Sequence, residues 1–249
     1  MEIYSLSWLE LAYCVVALLI AYGLRGSTGF GGALGMAMLV VVIPIKVIVP
    51  AWTLLSIASS IAILGHARKH IAWGELPPFI PWCLVGIAAG LYVFKVLDPD
   101  TLANALGIVI FVYALYAIAS TLGPKTGLQI PQRLLGAVSG VVSGAVGTIF
   151  GTMATPFFVM YLEARKLGKD AFRATMSAML LTLAVVRGLG YWAVGEFTAD
   201  AFMLFAAALP VMLIGVTIGN RIHLSLSELA FRRLIGGTLL ACSVPLLLK

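Results

Sequence analysis

The chain has 249 residues, of which 61% are hydrophobic and 10% are charged, and its mean hydropathy is +1.07. These values lie outside the range of soluble globular domains and predict an all-α membrane protein that crosses the bilayer several times. Membrane topology explains the formal net charge of +6, so no nucleic acid partner is expected. The cysteines lie in apolar segments without metal-ligand spacing, and no disulfide, metal site or cofactor is predicted.

The apolar residues divide into ten segments that together form a single transmembrane domain, residues 1–249. The first segment follows Glu2 and Glu10 instead of a basic stretch, which indicates a retained span and not a signal peptide. The approximate segments are 8–24, 29–44, 47–65, 76–95, 101–122, 132–148, 149–161, 174–194, 199–220 and 229–248.

The basic residues are distributed unevenly between the two faces of the membrane. If every segment crosses, twelve Lys and Arg residues, Arg25 among them, fall on one face and three, Lys46, Lys95 and Lys249, on the other. Arg187 remains inside a segment. The positive-inside rule then predicts that the first face is cytoplasmic and that both termini are periplasmic, in a bacterial-type inner membrane.

The two halves of the chain, about 1–125 and 126–249, contain matching motifs in the same order. Three stretches of the first half resemble three stretches of the second half: 26–32 resembles 144–152, 73–76 resembles 194–197, and 86–90 resembles 215–219. Since each half holds five segments, the second half would enter the membrane from the opposite side. The pattern predicts an inverted-topology repeat, a common design of transporters.

The segments 29–44 and 149–161 are short and follow Gly-rich stretches with almost no loop, which indicates that the chain turns within the membrane. Such turns are a sequence indicator of a transporter's binding site, and backbone N–H groups at a helix start suit an anion. The predicted binding residues here are Ser27, Thr28, Gly29, Gly31, Gly32, Gly147, Thr148, Gly151 and Thr152, with Thr53, Ser56, Thr175 and Ser177 as accessory donors.

Other glycines and hydroxyl groups have a simpler interpretation. The pairs Gly86/Gly90 and Gly215/Gly219 are typical of close helix packing and need no functional role. Ser and Thr side chains in membrane helices often bond their own backbone, which is the alternative for each accessory residue.

Arg187 is the strongest single candidate for a binding residue, because at helical rise it lies roughly 12 Å from the end of its segment at Gly195. An ionisable residue at that depth is expensive and is a hypothesis for a functional site. The alternatives are snorkelling to the interface or pairing with Glu196 or Asp200.

Two further basic residues are weighed with it. Arg25 either serves the first Gly-rich turn or anchors the chain at the cytoplasmic face. His66 occupies the repeat position equivalent to Arg187, and its two interpretations are an interfacial histidine and a proton-coupling group.

The Gly-rich turns 28–32 and 147–152, the latter followed by Pro156, and the Gly-Glu pairs after segments 3 and 8 resemble the TauE/SafE sulfite-exporter family over nearly the whole chain. The resemblance implies two repeats of membrane helices and substrates such as sulfite, sulfoacetate and related organosulfur or carboxylate anions. Residues 151–153 read Gly-Thr-Met where the family tends to have a run of glycines.

Three functions compete at this point. A secondary transporter that exports a small organic or inorganic anion explains the repeat, the broken segments and Arg187, and a passive channel differs from it only in coupling to a proton or ion. An intramembrane hydrolase with Ser27 as nucleophile lacks a base, since the histidines lie near segment ends. We therefore expect no catalytic residue and no enzyme. The expected partners are the anion, the bilayer and a coupling proton or ion, and a homo-oligomer is compatible with the sequence.

Overall fold

The protein is described from a computed structural model that covers residues 7–28, 31–119, 132–152, 154–163, 165 and 167–221. The elements in these ranges are helical, which confirms the predicted all-α class. The α-helices are α1 (Trp8–Thr28), α2 (Gly32–Leu39), α3 (Ile45–Ala67), α4 (Ile80–Val96), α5 (Pro99–Ala119), α6 (Gln132–Ile149), α7 (Thr155–Glu163), α8 (Lys169–Ala193) and α9 (Ala199–Arg221). The predicted segment 229–248 and Gly29 lie outside the described residues.

Long apolar runs form helices here because a helix satisfies its own backbone N–H and C=O groups, which lipid cannot do. In the described part of the chain, four helices are long and apolar enough to cross a membrane: Trp8–Ser27, Ile45–Gly65, Ala174–Ala193 and Ala199–Arg221. Ile80–Val96, Pro99–Leu115 and Leu134–Ile149 are shorter apolar helices. Their lengths and composition agree with the predicted multi-pass arrangement.

Helices α1 and α2 form a tight antiparallel hairpin. The Tyr13 hydroxyl near the start of α1 donates a hydrogen bond of 3.0 Å to the carbonyl oxygen of Met38 near the end of α2. Gly31 has a φ of 137° and lies so close to α1 that a Cβ there would come within 2.2 Å of the Ala21 carbonyl oxygen. Only glycine fits this reversal. The chain thus turns back at the level of residues 21–25.

Helices α6 and α7 form the corresponding hairpin in the second half. Near its open end Gly136 faces the ring of Tyr161, and near its tip Gly147 faces Ala154. Gly151, with a φ of 70°, lies in the turn between the two helices. The hairpin therefore places residues 150–154 at its tip.

Helices α2 and α7, which lie in the two segments that follow the Gly-rich stretches, are too short to cross a membrane by themselves. Helix α2 has 8 residues and α7 has 9, which gives lengths of about 12 to 14 Å at helical rise. A hydrocarbon core is about 30 Å thick. Neither helix can span that thickness alone, which agrees with the prediction that the chain turns within the membrane.

The turns are shorter than the Gly-rich motifs suggest. Helix α1 continues to Thr28 and α6 to Ile149, so Gly26 and Gly144 are helical. A Cβ on Gly26 would lie 2.6 Å from the Val216 carbonyl oxygen, and a Cβ on Gly144 would lie 2.4 Å from that of Cys83. These glycines pack helices together, because continuing the helix keeps the backbone hydrogen-bonded in lipid.

Helix packing joins the two halves of the chain. Helix α1 packs along α9, α4 packs along α6, and α3 crosses α8 between these pairs. A Cβ on Gly86 would meet the Val141 carbonyl oxygen at 2.1 Å, and one on Gly219 would meet that of Gly23 at 2.0 Å. The interpretation of these glycines as close helix contacts is confirmed.

Candidate functional site

The tips of the two hairpins touch each other inside the protein. A Cβ on Gly32, at the start of α2, would lie 2.5 Å from the hydroxyl oxygen of Thr152 in the second turn. A Cβ on Gly151 would lie 2.8 Å from the terminal methyl group of Met36 on α2. The two Gly-rich motifs, which are more than 100 residues apart in the sequence, are thus in direct contact.

A small cavity lies at this meeting point. Its free volume is about 20 Å³, which accommodates roughly one water molecule. Gly32 and Thr155, the first residues of α2 and α7, both line it. The positive ends of two short helices therefore face one enclosed space. The lining residues are Arg25, Gly32, Trp52, Ser56, Gly151, Thr152, Ala154, Thr155, Leu180, Leu183 and Arg187.

Arg187 on α8 is only 3% exposed and lines this cavity. One terminal N–H group of its guanidinium donates a hydrogen bond to the carbonyl oxygen of Gly147. Its Nε atom is buried and has no hydrogen-bond partner among the described residues. In the described part of the chain Arg187 forms no ion pair with Glu196 or Asp200, so the pairing and snorkelling alternatives are wrong.

Arg25 on α1 reaches the same cavity from the other half of the chain and is 6% exposed. Its guanidinium donates to the hydroxyl of Ser60 at 3.0 Å, to the hydroxyl of Ser56 at 3.3 Å and to the Ser56 carbonyl oxygen at 3.5 Å. The interpretation of Arg25 as an interfacial anchor is therefore wrong. Near the tip of the α1–α2 hairpin, the Arg25 side chain faces α3 in the interior of the protein.

Several predicted donors are engaged elsewhere. The Ser27 hydroxyl donates to the Gly23 carbonyl oxygen at 3.1 Å, and the Thr53 hydroxyl donates to that of Val49 at 3.0 Å. Thr175 accepts a hydrogen bond of 2.9 Å from a backbone N–H in the loop after α3. These three hydroxyl groups stabilise the fold and do not line the cavity.

The remaining candidates are placed as follows. Thr148 belongs to α6, and its buried hydroxyl has no hydrogen-bond partner among the described residues, while its carbonyl oxygen accepts from Tyr191. Ser177 is buried in α8 and is not part of the cavity lining. Thr28 and His66 lie at the ends of α1 and α3, and their side chains are outside the described part of the structure.

Sequence analysis predicted Ser56 as an accessory donor but overlooked Trp52, Ser60 and Tyr22, which lie beside it at this site. Trp52, Ser56 and Ser60 are spaced four residues apart on α3, so they share one helix face. Trp52 lines the cavity with Ser56, and Ser60 holds Arg25. Tyr22 completes this group, since its ring centroid lies 5.1 Å from that of Trp52. The four-residue spacing of polar and aromatic residues in an apolar helix is the signal that would have identified them.

Known proteins similar to this chain are membrane transporters. It is 26% identical over 196 residues to the probable inner membrane transporter protein TsaS of Comamonas testosteroni, with 78% of this chain and 80% of that protein covered. It is 25% identical over 228 residues to the probable sulfite/organosulfonate exporter TauE of Cupriavidus necator, with 89% and 87% covered. No solved structure matches the chain.

The family comparison gives the same result over a longer stretch. The sequence model of the family described as sulfite exporter TauE/SafE matches residues 13–246. The resemblance expected from the Gly-rich turns is confirmed, and with it the prediction of a transporter and not an enzyme. The chain belongs to the sulfite exporter TauE/SafE family of membrane transporters.

Proposed function

We propose that the protein is a secondary transporter that exports a sulfur oxyanion, such as sulfite or an organosulfonate, and that Arg187 binds this anion. The observation that carries the proposal is a buried guanidinium whose Nε has no partner among the described residues, in a cavity where two hairpin tips meet. The printed name of the Cupriavidus necator relative, a sulfite/organosulfonate exporter, supports the same class of substrate.

The chemistry of the cavity suits an oxyanion. A guanidinium presents a planar fork of N–H donors that matches two oxygens of a sulfite or sulfonate group. The Gly147 carbonyl oxygen holds one N–H group of Arg187 and leaves Nε for the ligand. The N–H groups of Gly32 and Thr155, the first residues of α2 and α7, add donors to the remaining oxygens. Further along α7, Pro156 has no N–H group and the Phe157 N–H donates to the Ala154 carbonyl oxygen.

The closed shape of the cavity favours a transporter over a passive channel. A free volume of about 20 Å³ holds a water but not a tetrahedral or pyramidal sulfur oxyanion. Passage therefore requires the hairpin tips to separate, which is the behaviour of an alternating-access carrier. A channel would conduct through a continuous pore.

We further propose that residues about 1–125 and 126–249 form an inverted repeat. The hairpin α1–α2 corresponds to α6–α7, and the packing of α1 on α9 corresponds to that of α6 on α4. The tips of the two hairpins meet, which supports their entry from opposite sides of the membrane. This is the arrangement expected of the two halves of a carrier.

The same arrangement supports periplasmic termini. Each hairpin returns to the side of the membrane from which it enters. The loops that follow it therefore lie on the same side of the membrane whether its two helices both cross or both turn back inside the bilayer. Because Arg25 lies in the interior, eleven Lys and Arg residues instead of twelve remain on the first face, against three on the other. The bias still predicts cytoplasmic loops after α3 and α7.

Flux measurements in proteoliposomes test the function directly. Sulfite, sulfoacetate, taurine and short carboxylates are loaded separately, and efflux is followed with and without an imposed proton gradient. We expect saturable efflux of sulfite or sulfoacetate and little efflux of taurine, because the ammonium group of a zwitterion is repelled by a fixed cation. Efflux of taurine alone would contradict the proposal. Efflux that does not saturate would indicate a channel.

A further inference from the structure

We infer that the cavity selects doubly charged oxyanions over singly charged ones, with Arg25 as the residue that determines this specificity. The inference rests on the proposed function, which by itself requires only the charge of Arg187. The inference adds Arg25 as a second fixed positive charge and therefore predicts that the preferred substrate carries two negative charges.

Both arginines line the same cavity although they come from different halves of the chain. Each is almost completely buried, with exposures of 6% for Arg25 and 3% for Arg187. Their partners are neutral oxygens, namely serine hydroxyls and the Ser56 carbonyl for Arg25 and the Gly147 carbonyl for Arg187. These bonds orient the two guanidinium groups without neutralising them.

No described carboxylate lines this cavity, and three of them, Glu75, Asp98 and Glu10, have partners at the ends of helices. Glu75 forms an ion pair of 2.8 Å with Arg165 in the loop after α7. Asp98 accepts a hydrogen bond of 2.6 Å from the Thr101 hydroxyl at the start of α5, and Glu10 bonds Ser7 at the start of α1. Among the described residues, the cavity thus carries two positive charges and no carboxylate.

Two buried like charges are unfavourable unless a ligand compensates for them. A monoanion leaves one charge uncompensated, whereas a dianion balances both. The aromatic ring of Trp52 lines the cavity and Tyr22 packs against it, with the Arg25 guanidinium carbon 6.0 Å from the Tyr22 ring centroid. The burial of the cavity limits screening by water, so the second charge of the ligand contributes strongly to affinity.

The test compares sulfate with methanesulfonate, two tetrahedral sulfur anions of similar size that differ by one charge. Their affinities for the full chain, purified in detergent, are measured by displacement of radiolabelled sulfite. We expect sulfate to bind at least about tenfold more tightly, since desolvated charge contacts are worth more than that factor. Equal affinities would overturn the inference and leave the proposed function intact. Failure of sulfite itself to bind would overturn the proposed function.

Substitution of Arg25 assigns the effect to one residue. Arg25→Gln keeps an amide donor for Ser56 and Ser60 but removes the charge, and we expect the preference for sulfate to fall to about threefold or less while methanesulfonate still binds. Arg25→Lys keeps the charge and should keep the preference. Arg221→Gln removes an exposed charge at the end of α9 and is the control for net charge.

The outcomes of this series are distinct. A folded Arg25→Gln protein that still prefers sulfate tenfold would overturn the role of Arg25, and so would an Arg25→Lys protein that loses the preference while eluting as a single species. If Arg25→Gln fails to fold, the Arg25→Lys variant and the parental sulfate to methanesulfonate ratio decide the matter.

Discussion

Gly32 and Thr152 lie against each other at the point where the two hairpins meet, so closely that a Cβ on Gly32 would come within 2.5 Å of the Thr152 hydroxyl oxygen. One residue begins α2 in the first half of the chain, and the other belongs to the turn before α7 in the second half. This contact joins the two Gly-rich motifs and closes the space in which both arginines lie.

The contact predicts a reciprocal rescue. Gly32→Ala should reduce the free energy of unfolding by about 1 to 3 kcal/mol, the usual cost of overpacking. Adding Thr152→Ala removes the clashing oxygen and should restore most of the loss, because the next nearest atom, the Thr152 Cβ, is at 3.5 Å. Thermal unfolding of the single and double variants in detergent measures the coupling. Strictly additive effects would show that the two residues do not interact.

Arg187 is expected to be essential for substrate binding. Arg187→Ala should abolish measurable sulfite binding, with a loss of about 2 to 5 kcal/mol for a desolvated charged contact. Arg187→Lys should retain part of the affinity, since an ammonium keeps the charge but not the planar fork. Equilibrium binding to purified protein is the measurement.

The control for this prediction is the folded state of each variant. Monodisperse elution in detergent must accompany the binding data, because a misfolded protein also fails to bind. A well-folded Arg187→Ala protein that transports at the parental rate would remove Arg187 from the site and leave the hairpin tips as the binding groups.

The proposed sidedness is tested by cysteine labelling. On a Cys-free background, Lys69→Cys in the exposed loop after α3 should resist an impermeant thiol reagent added to spheroplasts, because that loop is expected in the cytoplasm. Asp100→Cys, exposed at the start of α5, should label readily from outside and serves as the matched control. The reverse pattern would invert the topology.

Close packing between α1 and α9 depends on glycine. A Cβ on Gly219 would lie 2.0 Å from the Gly23 carbonyl oxygen, whereas a Cβ on Gly65 of α3 would meet nothing within 4 Å. Gly219→Ala should therefore lower stability by about 1 to 3 kcal/mol or more through overpacking. Gly65→Ala should be neutral or stabilising by up to about 1 kcal/mol, as expected for a helix interior. Equal unfolding temperatures for the two variants would contradict the packing argument.

The sequence by itself determined the class of protein, most of the helices and the family. Its apolar composition requires helices, because lipid offers the backbone no hydrogen-bond partners. The Gly-rich motifs correctly located the two hairpin turns, although the helices before them run further than expected. Arg187 was identified from the sequence because a charge inside an apolar segment is conspicuous whatever the fold.

Only the tertiary structure decided which side chains share the cavity. Arg25 looks like an interfacial charge in the sequence, and its burial follows from the reversal of the chain at Gly31, which keeps the end of α1 inside the protein. Ser27 and Thr53 look equivalent to Ser56 until the helices are packed, when only Ser56 faces the guanidinium. Local patterns specify helices and turns. Which residues line one cavity, as Arg25, Ser56, Thr152 and Arg187 do, depends on how separate helices cross, and that is set by long-range packing.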